Sequence, residues 1–191
     1  GIFAFCIWHS GENKLYLFRD RSGVKPLFYT IENNTLIFAS EIKALFCHPY
    51  VNPEININSF REIFGIGPAR TEGCGVFKNI YEIKYGHYGE FSINGFSEKA
   101  YWKLSTFKTN HTYEETVQNV NQLITSAVEY QMVSDVPVCS FLSGGVDSCI
   151  VTALASNYLQ KQGKKLNTFS FDFTDNNKYF KSNSFQPEQD R

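Results

Sequence analysis

The sequence predicts an α+β first part built on antiparallel sheet, followed by the start of an α/β domain with a parallel sheet. Three observations carry this. Over the first hundred residues, short apolar and aromatic runs alternate with turn residues. Near Ser105 the periodicity changes from strand-like to helical. Beyond it the order is helix, strand, glycine loop, helix, strand, which opens a parallel βα arrangement.

Ile2 to His9 and Lys14 to Phe18 flank Ser10-Gly11-Glu12-Asn13 and read as two strands joined by a tight turn. Lys25 to Ile31 and Thr35 to Ala39 form a second pair around Glu32-Asn33-Asn34. Ser40 is placed to cap a short helix through Ile42, Leu45 and Phe46, which His48-Pro49 ends. A second short helix is expected from Ser59 to Phe64, stopped by Gly65-Ile66-Gly67-Pro68. Val76 to Ile93 returns to strand-like sequence, with breaks expected at Gly86 and Gly89. Arg19 and Asp20 are read as ordering the loop before Gly23, with a functional pair as the alternative. Glu41 is read as a capping charge and Lys43 as a solvated one. Tyr81, Tyr85, Tyr88 and Phe91 are read as packing.

Thr112-Tyr113-Glu114-Glu115 fits a capping box, and Tyr113, Val117, Val120, Ile124, Ala127 and Val128 recur at helical spacing to about Val133. Val138 to Leu142 is a short apolar strand, a helix is expected from about Asp147 to Gln160 with Gly163 ending it, and Leu166 to Phe173 supplies another strand. The domain division is expected between about 103 and 111, giving parts 1–103 and 104–191. The chain opens on Gly1-Ile2-Phe3 without an initiator Met and closes on Gln189-Asp190-Arg191. The expectation from these ends is an internal piece of a longer protein.

Composition narrows the function classes. Hydrophobic residues make up 42% and aromatic residues 16%, enough for a packed core. The net charge of −1 and the lack of a basic stripe give no support to a nucleic-acid partner. No apolar run approaches the roughly 20 residues of a membrane span, and no secretory leader is visible. Five cysteines, Cys6, Cys47, Cys74, Cys139 and Cys149, show no metal-ligand spacing. They read as reduced thiols of a cytoplasmic protein, with Cys6 and Cys139 expected in the core. The four histidines lack companions at useful spacing, and none is given a catalytic role.

Chemistry concentrates at Ser143-Gly144-Gly145-Val146-Asp147-Ser148, between a strand and a helix, where α/β sheets bind ligands. Two glycines let the backbone approach an anion, and amides at a helix start favour phosphate. Ser143 and Ser148 can add hydroxyl donors. Asp147 repels bare phosphate, so it makes sense chiefly as a Mg²⁺ ligand beside one. The loop is neither a Gly-Lys-Ser/Thr phosphate loop nor a GxGxxG. The same six residues also read as a Ser/Gly turn with Asp147 as an ordinary helix cap. Asp172 and Asp175, after the last strand and near the expected nucleotide, are read as solvated loop charges, with a ligand role as the alternative.

Phe141-Leu142-Ser143-Gly144-Gly145-Val146-Asp147-Ser148 resembles the SGGxDS signature of the ATP pyrophosphatase (PP-loop) superfamily. Ser134-Asp135-Val136-Pro137 resembles the SDVP of glutamine-hydrolysing asparagine synthetases. So do Arg19 to Tyr29, like RDxxGxKPLYY, Ala39 to Leu45, like ASExKAL, and the domain-joining Tyr101-Trp102. The matches occur in family order along nearly the whole chain.

The resemblance implies the later part of a class-II glutamine amidotransferase domain, then the start of a PP-loop synthetase domain. It implies aspartate, glutamine and ATP as substrates, Mg²⁺ as cofactor, and a β-aspartyl-adenylate displaced by ammonia from glutamine. Ser143, Gly144, Gly145 and Ser148 would cradle pyrophosphate and Asp147 would bind Mg²⁺, while backbone groups of Phe141 and Phe171 would hold the nucleotide. A homodimer is compatible with this reading. The family's glutaminase nucleophile is an N-terminal Cys, whereas this chain begins with Gly1. Cys6 cannot replace it, because its amine lies in a peptide bond. The glutamine-holding residues and an SGExSDE-like segment are expected outside these 191 residues. The piece alone is therefore expected to hydrolyse no glutamine and make no asparagine. A β-lactam-forming or other amidating relative, and a noncatalytic interaction module, remain alternatives at this point.

Overall fold

A computed structural model describes residues 1–67, 69–172 and 174–181. The expected roles of Pro68 as a helix stop and Phe173 as a strand end fall outside these residues. The chain divides into two compact units, Gly1–Phe107 and Lys108–Arg191.

The first unit is layered. Strands β1 (Ala4–His9), β2 (Lys14–Arg19), β6 (His87–Ser92) and β7 (Gly95–Ala100) form one antiparallel sheet in the order β1-β2-β6-β7. Strands β3 (Phe28–Glu32), β4 (Thr35–Ala39) and β5 (Tyr81–Glu82) form a second, in the order β4-β3-β5. Helix α1 is Ile42–Leu45.

Strand alternation sorts the core into two layers. Tyr29 and Leu36 face the first sheet and join Leu17, Leu27, Ile83 and Phe96. Their neighbours Phe28 and Ile37 face the other way and join Leu45, Val51 and Ile80 beneath α1. Each fully buried aliphatic side chain stabilises the unit by about 1.5–3 kcal/mol.

The two expected hairpins are present. Asn33 and Asn34 have φ of 50° and 60°, the left-handed pair that a two-residue turn requires. Strand β3 begins three residues later than Lys25, because Pro26 lacks an amide for the ladder.

Further local details of this unit differ from expectation. Helix α1 is preceded by Glu41 rather than Ser40, and no side chain caps it. The second helix, α2 (Ile57–Phe60), starts earlier than Ser59: Asn56 caps it, forming a capping box with Ser59. It continues as a π-helical turn, Arg61–Gly65. Gly86 breaks the strand run with φ of 65°, but Gly89 lies inside β6. There a Cβ would stand 2.5 Å from the Phe96 ring, so the glycine makes room for packing rather than ending a strand. Cys6 is exposed, because β1 is an edge strand with neither face covered along most of its length.

The second unit contains α3 (Tyr113–Gln131), β8 (Cys139–Phe141), α4 (Val146–Gln160), β9 (Asn167–Phe169) and α5 (Asn176–Tyr179). Thr112 and Glu115 form the expected reciprocal cap on α3. Strands β8 and β9 pair in parallel, with α4 as the crossover. Gly163, at φ of 68°, follows α4. Met132, Ala155 and Leu159 are the buried core, flanked by Val128, Val138 and Leu166. Cys139 is exposed, contrary to expectation. Ser140 faces α4 through a 2.8 Å bond to Thr152, which turns Cys139 and Phe141 to the opposite face of β8.

Candidate phosphate-binding site

The loop from Ser143 to Ser148 forms because β8 must hand over to α4 within a few residues. Leu142 N–H donates to Phe169 O at 2.8 Å and carries the parallel pairing one residue past β8. Gly144 then takes φ of 91°, a backbone state that only glycine adopts readily. Gly145, at φ −71° and ψ 159°, is the N-cap of α4 and has no side chain to fill the helix start. The helical ladder begins with Cys149 N–H donating to Gly145 O at 3.0 Å.

Two serines close the loop. Ser148 Oγ lies 3.0 Å from Gly145 O, accepts from Ser143 N–H at 3.3 Å, and lies 3.0 Å from Ser143 Oγ. With Ser148 donating to Gly145, Ser143 donates to Ser148, and both hydroxyl protons are engaged inside the loop. Rotation of the Ser143 side chain frees its proton for an anion.

Among the described residues no acceptor takes the amides of Gly144, Gly145, Val146 or Asp147. These groups stand at the positive end of a helix of 15 residues. Asp147 is exposed in the first turn of that helix. Open amides with an adjacent carboxylate suit a phosphate chain carrying a divalent cation, each group meeting its opposite charge. Among the described residues no group of three or more His, Cys, Asp or Glu side chains could hold a metal. A cation here would be held by Asp147 together with phosphate oxygens, as Mg²⁺ commonly is.

A cleft of about 380 Å³ opens beside the loop, lined by Leu142, Ser143, Gly144, Cys149, Ser170, Phe171 and Asp172. It brings Phe171 to the same space as Ser143 and Gly144. Phe141 lies on β8 outside this lining, and Gly145, Asp147 and Ser148 form the helix side of the loop. Cys149 and Ser170 were not singled out by the sequence as parts of the site, whereas Asp172, whose ligand role was the alternative to a solvated charge, lines the cleft. Cys149 had a local signal, since it stands one helical turn after Gly145 and its Sγ lies 3.7 Å from Gly144 O. Ser170 and Asp172 reach the cleft only through the pairing of β9 with β8.

Comparison with known proteins settles the family. The glutamine amidotransferase domain profile matches residues 1–102, and the asparagine synthase profile matches residues 119–186. Asparagine synthetase [glutamine-hydrolyzing] 3 of Bacillus subtilis is 47% identical over 100% of this chain and 31% of that protein. The chain belongs to the glutamine-hydrolysing asparagine synthetase family.

Asparagine synthetase [glutamine-hydrolyzing] 2 of the same bacterium is 37% identical over 82% of this chain and 22% of its own length. Amidase chry2 of Gibberella zeae is 34% identical over 87% of this chain and 25% of its length. The chain thus spans less than a third of the length of these relatives. In this asparagine synthetase-family chain, the first profile falls on the antiparallel unit and the second covers the Ser143–Ser148 loop. No described helix is long and apolar enough to cross a membrane.

Proposed function

We propose that this chain contributes the nucleotide-activating loop of an ATP-dependent, glutamine-using asparagine synthetase. The observation that carries the reading is the set of open amides from Gly144 to Asp147, with an exposed carboxylate in their midst, where β8 passes into α4. In this reading the amides and the start of α4 hold the β- and γ-phosphates of ATP. Asp147 would supply an oxygen ligand to Mg²⁺, and the ion would supply neutralisation of charge on the pyrophosphate leaving group. Gly144 lets the backbone come within bonding distance of that pyrophosphate. The Phe141 and Phe171 backbones flank the nucleotide. The aspartate β-carboxylate attacks the α-phosphorus to give β-aspartyl-adenylate and pyrophosphate. Ammonia from glutamine then displaces AMP to leave asparagine. No residue of this chain is assigned as the glutaminase nucleophile.

A second reading, in which the acceptor is another carboxylic acid, stands beside it because no residue of this chain is assigned to the acceptor and one relative, Amidase chry2, carries a name other than asparagine synthetase. The two differ in which acid supports the exchange of pyrophosphate into ATP. In the complete polypeptide carrying this sequence, aspartate-dependent ATP–pyrophosphate exchange is expected. Asp147→Asn is expected to lower it by about 100-fold or more through loss of a charged metal ligand. Undiminished exchange in a variant with unchanged circular dichroism contradicts the role of Asp147. Exchange driven by a different acid moves the reading to the second acceptor class.

A further inference from the structure

Strand β3 ends in a polar cluster that has no part in nucleotide activation. Alternation along the strand puts Phe28, Thr30 and Glu32 on one face, and Phe28 enters the core beneath α1. Thr30 is fully buried, and among the described residues nothing partners its hydroxyl. Burial without a partner is costly for a hydroxyl, so an orphan of this kind needs an explanation.

Thr30 lines a cavity of about 120 Å³. Val51 and Ile80, buried beside it, have aliphatic side chains that offer the hydroxyl nothing. Glu32, Asn52, Glu54, Lys78 and Asn79 make the rest of the lining polar. Backbone bonds hold these groups in place. Val51 N–H donates to His48 O at 3.0 Å, Lys78 N–H to Glu54 O at 2.9 Å, and Ile80 N–H to Phe77 O at 3.2 Å.

Charge decides what the cavity accepts. Glu54 is paired with Lys78 at 2.7 Å. Glu32 is half-buried, and its carboxylate has no hydrogen bond or ion pair among the described residues. Glu54 chiefly, and the Glu32 charge in smaller part, hold the Lys78 ammonium above its ordinary range. One negative charge in the lining is therefore left uncompensated. It repels anions, and a divalent cation would overcompensate it. Among the described residues no group of three or more His, Cys, Asp or Glu side chains is present for such an ion.

We propose that this cavity binds a monovalent alkali cation through the Glu32 carboxylate, the Thr30 hydroxyl oxygen and the side-chain carbonyls of Asn52 and Asn79. The ion ties segments 48–54 and 77–80 to the end of β3. Every group involved lies in the antiparallel unit, so the proposal stands apart from the synthetase reading above.

The test compares the complete polypeptide in potassium, sodium and choline nitrate at equal ionic strength. Choline takes no oxygen ligands. Exchange of the Lys78 and Ile80 amides is expected to slow about tenfold when the alkali ion reaches ten times its dissociation constant, while choline leaves it unchanged. Thallium(I), a potassium substitute with an observable nucleus, is expected to show saturable binding that potassium displaces. Thr30→Val removes the hydroxyl, and Glu32→Gln removes the charge at a half-buried position. Each is expected to cut the slowing to about twofold or less.

Equal exchange in all three salts, without displaceable thallium, overturns the site and leaves Thr30 to ordered water only. Slowing that Glu32→Gln leaves intact overturns the assignment, and this variant decides alone if Thr30→Val does not fold. Slowing by magnesium at far lower concentration than by potassium overturns the charge argument.

Discussion

Asp20 is almost fully enclosed, and its carboxylate accepts from the amides of Ser22, Val24 and Lys25 at 3.0, 3.1 and 3.0 Å. Beside it Arg19 donates to Lys25 O, Ile83 O and Gly23 O and pairs with Glu82 at 2.9 Å. Burial pushes the Asp20 carboxyl up, but the amides of Lys25, Val24 and Ser22 outweigh it and leave the group below the ordinary carboxylate range. A carboxyl lowered by folding stabilises the fold above its unfolded pKa of about 3.9. That contribution is lost as pH falls through the lower, folded value. Asp20→Asn is therefore expected to destabilise the antiparallel unit by about 2–3 kcal/mol at neutral pH. The gap from the unsubstituted chain narrows below about pH 4, which urea unfolding at several pH values checks. A gap of the same size at every pH contradicts the charge-based account.

At the level of elements, Thr112 shows a local rule acting alone. Its Oγ1 accepts from Glu115 N–H at 3.2 Å, and Glu115 Oε2 accepts from Thr112 N–H at 2.8 Å. Thr112→Ala is expected to cost about 1 kcal/mol and fray the first turn of α3. Carbon chemical shifts at residues 113–116 read this directly, and an unchanged first turn contradicts it. Features of this kind were legible in the sequence because the residues that form them lie within a few positions of one another. The Asn33-Asn34 turn, the Thr112 cap and the Ser143–Ser148 loop all qualify. Features set by distant partners were not. Gly89 looked like a strand break because Phe96, whose ring needs the space, lies across a hairpin. Arg19 gave no sign of Glu82, Cys6 none of its exposure, and Ser170 joined the cleft only once β9 paired with β8. Strand β7 itself was not foreseen, since Gly95, Ser97, Glu98 and Lys99 leave little apolar alternation to read.

At the scale of the molecule, the two units differ in how much they bury. Among the described residues the antiparallel unit has two sheets, two short α-helices, a π-helical turn and two buried clusters. Among the described residues the second unit rests on a two-stranded parallel sheet and one cluster around Met132, Ala155 and Leu159. Two-stranded sheets are marginal by themselves, and parallel sheets are normally covered on both faces. Val117, Val120, Leu123 and Ile150 are exposed on α3 and α4. Native-state hydrogen exchange of this chain is expected to show β8 and β9 opening well before β2 and β6. Equal protection in both sheets contradicts this ranking.

Amide NMR of the chain titrated with magnesium pyrophosphate tests most directly whether the start of α4 holds a phosphate chain through Mg²⁺ and Asp147. Saturable shifts centred on the amides of Gly144 to Ser148, dependent on Mg²⁺ and lost in Asp147→Asn, are the expected result. Amides of that loop that stay unmoved at saturating magnesium pyrophosphate, in a chain whose other resonances show it folded, would contradict it.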